Sequence, residues 1–177
     1  MKIVLIIGHI NTGKTTVANY LCEKYNFKRI SLGDGVKEFT VKMFEILNST
    51  GFTHENIKLE DLNNRDKKER YRTLMQQIST DCIKKVISEN VWIDIVKQKI
   101  INSKHENIVI DDIRFKNELF ELSNLNKNVL IIKLTRDCEI KSEHISEHDL
   151  DDTIVPNIIN NNGTKEELFK LVDSLIL

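Results

Sequence analysis

The sequence predicts an α/β protein: an open sheet of five parallel strands with helices on both faces. Two observations carry the prediction. Ile3 to Ile7 is apolar at every position, as a central parallel strand buried on both sides requires. After it, short apolar runs alternate with stretches whose apolar residues fall at helical spacing. In such a sheet the chemistry belongs at the C-terminal ends of the strands.

The elements follow in order. Val17, Ala18, Leu21, Cys22 and Tyr25 mark a first helix, and Phe27 to Leu32 a short second strand. Val36, Phe39, Met43 and Leu47 mark an amphipathic helix that Thr50-Gly51 ends. Phe52 to Arg70 is polar and charged, with scattered apolar residues such as Ile57, Leu59 and Leu62, and reads as a mobile surface excursion. Leu74, Ile78, Cys82 and Val86 lie four apart and predict a helix with one packed stripe over 71–87. A further helix spans Val91 to Ile101, with Trp92, Ile95 and Val96 inward and Trp92 in the core. Ile108 to Ile110 forms a third strand, Glu118 to Leu125 a short helix, and Val129 to Leu134 a fourth strand. The fifth strand lies within Ile154 to Ile159 and, because proline donates no ladder hydrogen bond, begins at or after Pro156 or runs along an edge. Thr164-x-x-Glu167 is a capping box opening the last helix, with Leu168, Leu171, Val172 and Leu175 inward.

Composition narrows the function classes. A chain of 177 residues suits one packed domain. With 26 Lys+Arg against 27 Asp+Glu the net charge is −1, so no bulk basic field points to polymeric nucleic acid or to a membrane surface. Cys22, Cys82 and Cys138 are far apart and in no metal-ligand spacing, which fits buried thiols in a reducing compartment. No stretch reaches the roughly 20 apolar residues of a membrane span, and Met1 to Ile7 lacks a signal cleavage site. A cytoplasmic protein is expected.

The strongest local signal is Gly8-His9-Ile10-Asn11-Thr12-Gly13-Lys14-Thr15, a G-x-x-x-x-G-K-T pattern between the first strand and the first helix. Glycines at Gly8 and Gly13 let the backbone curl so that successive N–H groups converge on phosphate oxygens. The expected ATP contacts are Gly8, Asn11, Thr12, Gly13, Lys14, Thr15 and Thr16. Lys14 reaches the terminal phosphates, Thr15 offers a hydroxyl to magnesium, and the helix N-terminus favours the same anion. Ile110-Asp111-Asp112 ends a strand in acid, the form of a Walker B element.

Phosphate-loop proteins differ in what else they carry. No Asn-Lys-x-Asp guanine-reading motif is present, so a regulatory GTPase is excluded, and the length leaves little room for the sensors of a transport or remodelling ATPase. A small-molecule kinase remains. It must hold two polyanions end to end, which needs cations beyond the loop lysine.

Ser31-Leu32-Gly33-Asp34-Gly35-Val36-Lys37-Glu38, Arg72 to Asp81 and Ile110-Asp111-Asp112-Ile113-Arg114-Phe115-Lys116-Asn117-Glu118 resemble successive motifs of phage-type deoxynucleoside monophosphate kinases. His144-Ile145-Ser146-Glu147 and Asn160 to Leu168 resemble two more, in order, so the resemblance covers nearly the whole chain. Gly33 and Gly35 stand where that family usually has alanine and proline, and Ser79 where it usually has glycine. The resemblance implies a three-layer P-loop NTPase fold. It divides into a core at 1–34, 106–136 and 153–177, an acceptor-binding helical region at about 35–105 and a lid at about 137–150.

It further implies transfer of the ATP γ-phosphoryl group to a deoxynucleoside monophosphate. Lys14, Arg114 and Arg136 are then the catalytic cations, Arg136 also meeting the ATP base or phosphates. Asp34, Lys37, Arg72, Gln76 and Arg114 face the acceptor, and Thr15 with Asp112 positions magnesium, Asp111 being secondary. His144, Ser146 and Glu147 organise the lid, and a homodimer fits the family. His144 and His148, four apart, lack the partners of a zinc site. A kinase of another phosphomonoester, such as phosphomevalonate, and a catalytically silent nucleotide-binding module are the alternatives.

Overall fold

The computed structural model describes residues 1–137 and 148–177. The chain divides into two compact units, Met1–Ser31 with Val96–Leu177 and, inserted between them, Leu32–Ile95.

The first unit holds the sheet. Its strands are β1 (Lys2–Ile7), β2 (Lys28–Arg29), β3 (Asn107–Ile110), β4 (Val129–Thr135) and β5 (Asn157–Asn160), all parallel, in the order β2-β3-β1-β4-β5. β1 is central, which explains its unbroken apolar run: Ile3 to Ile7 are all 0% exposed. In the register Val4 lies beside Val109 and Leu130, and Ile6 beside Ile132, so these side chains share one face. Helices α1 (Lys14–Tyr25) and the C-terminal α7 (Lys165–Ile176) cover that face with Val17, Ala18, Leu21, Leu168 and Val172. Ile3, Leu5, Ile7, Ile108 and Ile110 are buried on the other face, where α6 (Lys116–Ser123) packs against β1. A three-layer α/β architecture results.

β2 is shorter than the sequence predicts, because sheet pairing covers only two residues there. β5 begins immediately after Pro156 and is an edge strand. The capping box forms: Thr164 Oγ1 accepts from the Glu167 N–H (3.2 Å) and Glu167 Oε2 from the Thr164 N–H (2.8 Å).

The second unit is helical: α2 (Gly33–Ser49), α3 (Leu59–Asn63), α4 (Arg65–Gln76) continuing as a π-helix over Gln77–Lys84, and the first residues of α5 (Val91–Ile101). α2 ends at Thr50-Gly51 as expected, with the N–H of Phe52 and Gly51 donating back to the carbonyls of Leu47 and Asn48. The excursion expected over 52–70 needs correcting. It contains α3 and the start of α4, and it is anchored by Ile57 (6% exposed) and Leu62 (0%). Asn64 caps α4 by accepting from the N–H of Asp66 and Lys67.

The four-apart stripe also needs correcting. Met75 and Ile78 are buried, whereas Cys82 and Val86 are exposed. The π turns, bonded i→i+5, rotate successive side chains away from an α-helical phase. The Ser79 carbonyl in this stretch accepts from the Trp92 indole N–H at 3.3 Å, so Trp92 is a core residue as expected, and the buried Ile93 joins it. A β-carbon on Gly35 would lie 2.9 Å from the Trp92 ring; glycine there is what lets the indole close on α2. His54 and His105 are exposed, as expected.

α1 and α7 are clamped at their outer ends. Tyr20 and Phe169 stack with centroids 3.7 Å apart, and Asp173 accepts from Lys24 (2.7 Å), Tyr20 (2.7 Å) and Tyr25 (2.8 Å). The Lys24 ammonium, with the tyrosine hydroxyls, pulls the Asp173 carboxyl down to about 2 from an ordinary 3.8. A depressed carboxyl pKa stabilises the fold above the unfolded value and ceases to do so as pH falls through the folded one. Wild-type Tm should therefore drop between about pH 4 and pH 2, and Asp173→Asn should lower Tm at pH 7 and flatten that drop; thermal melts across pH test both.

Candidate active site

The phosphate loop joins β1 to α1. Gly8 (φ 141°), Asn11 (φ 66°) and Gly13 (φ 100°) take the positive φ values that the curl needs. Thr12 is 1% exposed, and its hydroxyl donates to the His9 carbonyl at 2.8 Å, so it shapes the loop from within and presents only backbone outward. Lys14 folds back over the loop: its ammonium donates to the carbonyls of Gly8 and His9, each at 2.6 Å. Thr15 is exposed at the first turn of α1, with Thr16 beside it half-buried.

The strand-end acids differ from expectation. Asp111, not Asp112, meets Thr15, whose Oγ1 donates to Asp111 Oδ2 at 3.0 Å. Asp111 is 2% exposed and also receives a two-pronged bond from Arg29 on β2, Nε to Oδ1 at 2.7 Å and a terminal nitrogen to Oδ2 at 2.8 Å. Asp112 turns to the Ser31 hydroxyl at 2.5 Å. Successive residues of an extended chain face opposite ways, so only one of the two acids can reach α1. Thr15 thus pairs with Asp111, while Asp112, expected to position magnesium with Thr15, bonds Ser31.

Arg114 follows in the β3–α6 turn. Its backbone N–H and that of Phe115 donate to the buried Glu118 Oε2 at 2.9 and 3.2 Å. Glu118 thus fixes the turn that carries the arginine. Arg114, Gly8, His9, Ile113, Lys133, Leu134, Thr135, Leu150 and Asp151 line one cavity of about 240 Å³.

One wall of that cavity was not foreseen. Lys133, a lysine within the largely apolar β4, donates to the carbonyls of Leu150 (3.1 Å), Asp151 (2.8 Å) and Thr153 (3.1 Å), using the full donor capacity of an ammonium. It holds the 150–153 turn against β4. From that turn Asp151 bridges His9 of the phosphate loop and His148, each at 2.9 Å. Lys116 pairs with Asp152 at 2.8 Å.

The remaining expected residues are placed locally. Arg136 is exposed just after β4. In the second unit Lys37 donates to Asp34 (3.2 Å) and to Asn63 (2.9 Å), and Asp34 is not a helix cap. Arg72 and Gln76 are exposed one turn apart on α4, and Arg72 donates to Glu69 at 2.8 Å. His144, Ser146 and Glu147 lie outside the described residues.

A family model for deoxynucleotide monophosphate kinases matches residues 46–172. The chain belongs to the deoxynucleotide monophosphate kinase family. The matched stretch takes in the strand-end acids and Arg114. A curated relative, the deoxynucleoside-5'-monophosphate kinase of Escherichia phage T5, is 26% identical over 113 residues, 58% of this chain and 45% of that protein. The chain thus spans less than half the length of this kinase. Among solved structures, a gluconokinase from Sinorhizobium meliloti 1021 is 10% identical at a TM-score of 0.49, covering 99% of this chain and 94% of that one. A putative kinase from Chloroflexus aurantiacus j-10-fl is 14% identical at a TM-score of 0.46, covering 99% and 98%.

Within this kinase-family site the Arg29–Asp111 pair tests the electrostatics. Arg29→Leu removes the cation from a carboxylate whose side chain is 1% exposed and leaves the Thr15 hydroxyl bonded to it. The expected loss of stability is about 2 kcal/mol, less than for a fully buried pair because Arg29 reaches solvent. Adding Asp111→Asn should recover part of the loss, since a neutral amide needs no cation; denaturant titration of the single and double variants measures both.

Proposed function

We propose that this member of the family transfers the γ-phosphoryl group of ATP to the 5′-phosphate of a deoxynucleoside monophosphate, giving the diphosphate and ADP. The observation that carries the reading is the shared cavity, lined by the start of the phosphate loop at Gly8 and His9 and by Arg114. The start of a loop suited to a polyphosphate and an arginine, a residue type suited to a phosphomonoester, line one volume, in keeping with in-line transfer between two anions. Family membership supports the acceptor class.

In the proposed reaction an oxygen of the acceptor phosphate bonds to the γ-phosphorus while the bond to the β–γ bridging oxygen breaks. ADP leaves with the electron pair. The attacking oxygen is already anionic, so no general base is needed. Lys14 exchanges the Gly8 and His9 carbonyls for β/γ-phosphate oxygens, and the amides from Gly13 to Thr16 add donors where charge develops. Asn11 shapes the loop through its backbone and Thr12 through its hydroxyl on the His9 carbonyl. Arg114 holds the acceptor phosphate with its planar fork. Arg136 is assigned to the ATP base or its phosphates, and Asp34, Lys37, Arg72 and Gln76 are the acceptor-side candidates of the second unit.

The oxygen donors Thr15 Oγ1 and Asp111, 3.0 Å apart, are the hard ligands that magnesium prefers, directly or through water. Bound with ATP, the ion would neutralise charge between the β- and γ-phosphates.

An assay of ADP formation from Mg-ATP with each of the four deoxynucleoside monophosphates tests the reading, with turnover of at least one expected. Lys14→Ala should cost at least about 100-fold in kcat, the scale of a lost transition-state donor. Arg114→Ala should raise acceptor KM about 10- to 100-fold with little change in ATP KM, the scale of a charged hydrogen bond. Activity confined to another phosphomonoester would overturn the acceptor class, and unchanged acceptor kinetics in Arg114→Ala would remove that residue from the role.

A further inference from the structure

Beside the phosphate loop lies a residue that the proposed reaction does not use. Asn161 follows β5 and is 8% exposed. Its Nδ2 donates to the Thr12 carbonyl at 2.9 Å. A carbonyl only accepts, so the amide must present its NH₂ group there. The two are tightly packed: a β-carbon on Gly13 would lie 2.6 Å from the same nitrogen.

The frame behind Asn161 is fixed. Its own N–H donates to the Thr135 carbonyl at 2.7 Å. The next residue, Asn162, accepts from the Asp137 N–H at 2.8 Å and donates to the Asp137 carboxylate at 2.6 Å. The turn after β5 is thereby tied to the end of β4 on both sides of Asn161.

A trans peptide points its C=O and N–H in opposite directions, and no cis bond occurs among the described residues. With the Thr12 oxygen captured by Asn161, the Gly13 N–H is turned the other way, away from Asn161. Gly13, at φ 100°, sits where a backbone without a side chain has most freedom to flip. The geometry points to Asn161 as a positioning residue: it fixes the Thr12–Gly13 peptide so that the Gly13 N–H is a preset donor to the phosphates of the bound nucleotide. The inference rests on the phosphate-binding reading of the loop and not on the identity of the acceptor.

Two substitutions test it. Asn161→Ala removes the donor, and Asn161→Ser keeps a shorter one in case the alanine variant does not fold. The readouts are calorimetric affinities for ADP and for inorganic pyrophosphate, steady-state KM values for ATP and the acceptor, and Tm without ligand. Both affinities should fall about 10-fold in Asn161→Ala and less in Asn161→Ser, with ATP KM rising in step, acceptor KM within about twofold of wild type, and ligand-free Tm a few degrees lower, the scale of one lost buried hydrogen bond. Wild-type ADP and pyrophosphate affinity in a folded Asn161→Ala or Asn161→Ser protein would overturn the inference. So would equal losses for donor and acceptor. Because ADP and pyrophosphate binding needs no acceptor, failure here is distinguishable from failure of the deoxynucleotide assignment.

Discussion

The buried carboxylate of Asp111 is the constraint on which the sheet end depends. A charge removed from water must be compensated, and here the compensation comes from two other elements: the Arg29 fork on β2 and the Thr15 hydroxyl on α1. β2 pairs over only two residues, both exposed, between the buried Phe27 and Ile30. The ion pair adds a polar attachment to that apolar one. The same acid sets where α1 begins relative to β3, and so where the loop between β1 and α1 must lie.

That loop is gripped at two points. Asn161 takes the Thr12 carbonyl from the β5 side, and Asp151 meets the His9 imidazole from the 150–153 turn that Lys133 holds. The loop's own glycines make it deformable; its neighbours make it definite. Each grip comes from the C-terminal end of a strand or the turn beyond it, which is why a parallel sheet, with all those ends on one side, is a good scaffold for a polyphosphate site.

Much of this was legible in the sequence because it depends on burial. The five strands, the capping box at Thr164 and Glu167 and the core position of Trp92 each follow from apolar periodicity or a fixed cap spacing. Two errors had physical causes. Ile57 and Leu62 anchor a segment too charged to show a period, and the π turns after Gln76 broke a stripe that α-helical counting extended to Val86. The site was readable as motifs and unreadable as pairings. Nothing local distinguishes Asp111 from Asp112, because the choice between them is made by Arg29 and Thr15, 82 and 96 positions away. Lys133 did leave a trace, a lone ammonium in an otherwise apolar strand, and such a residue always needs acceptors. His9 left none, since the loop motif accepts any residue there.

The Lys14 ammonium holds two carbonyl oxygens of its own loop at 2.6 Å. An arriving ligand therefore does not add bonds to an idle cation; it exchanges neutral acceptors for its own. The gain is a difference between two kinds of oxygen, large for a multiply charged phosphate tail and near zero for a neutral hydroxyl or amide. Under the proposed phosphate-binding role, the loop would act as a charge threshold, rejecting weak acceptors by remaining satisfied without them.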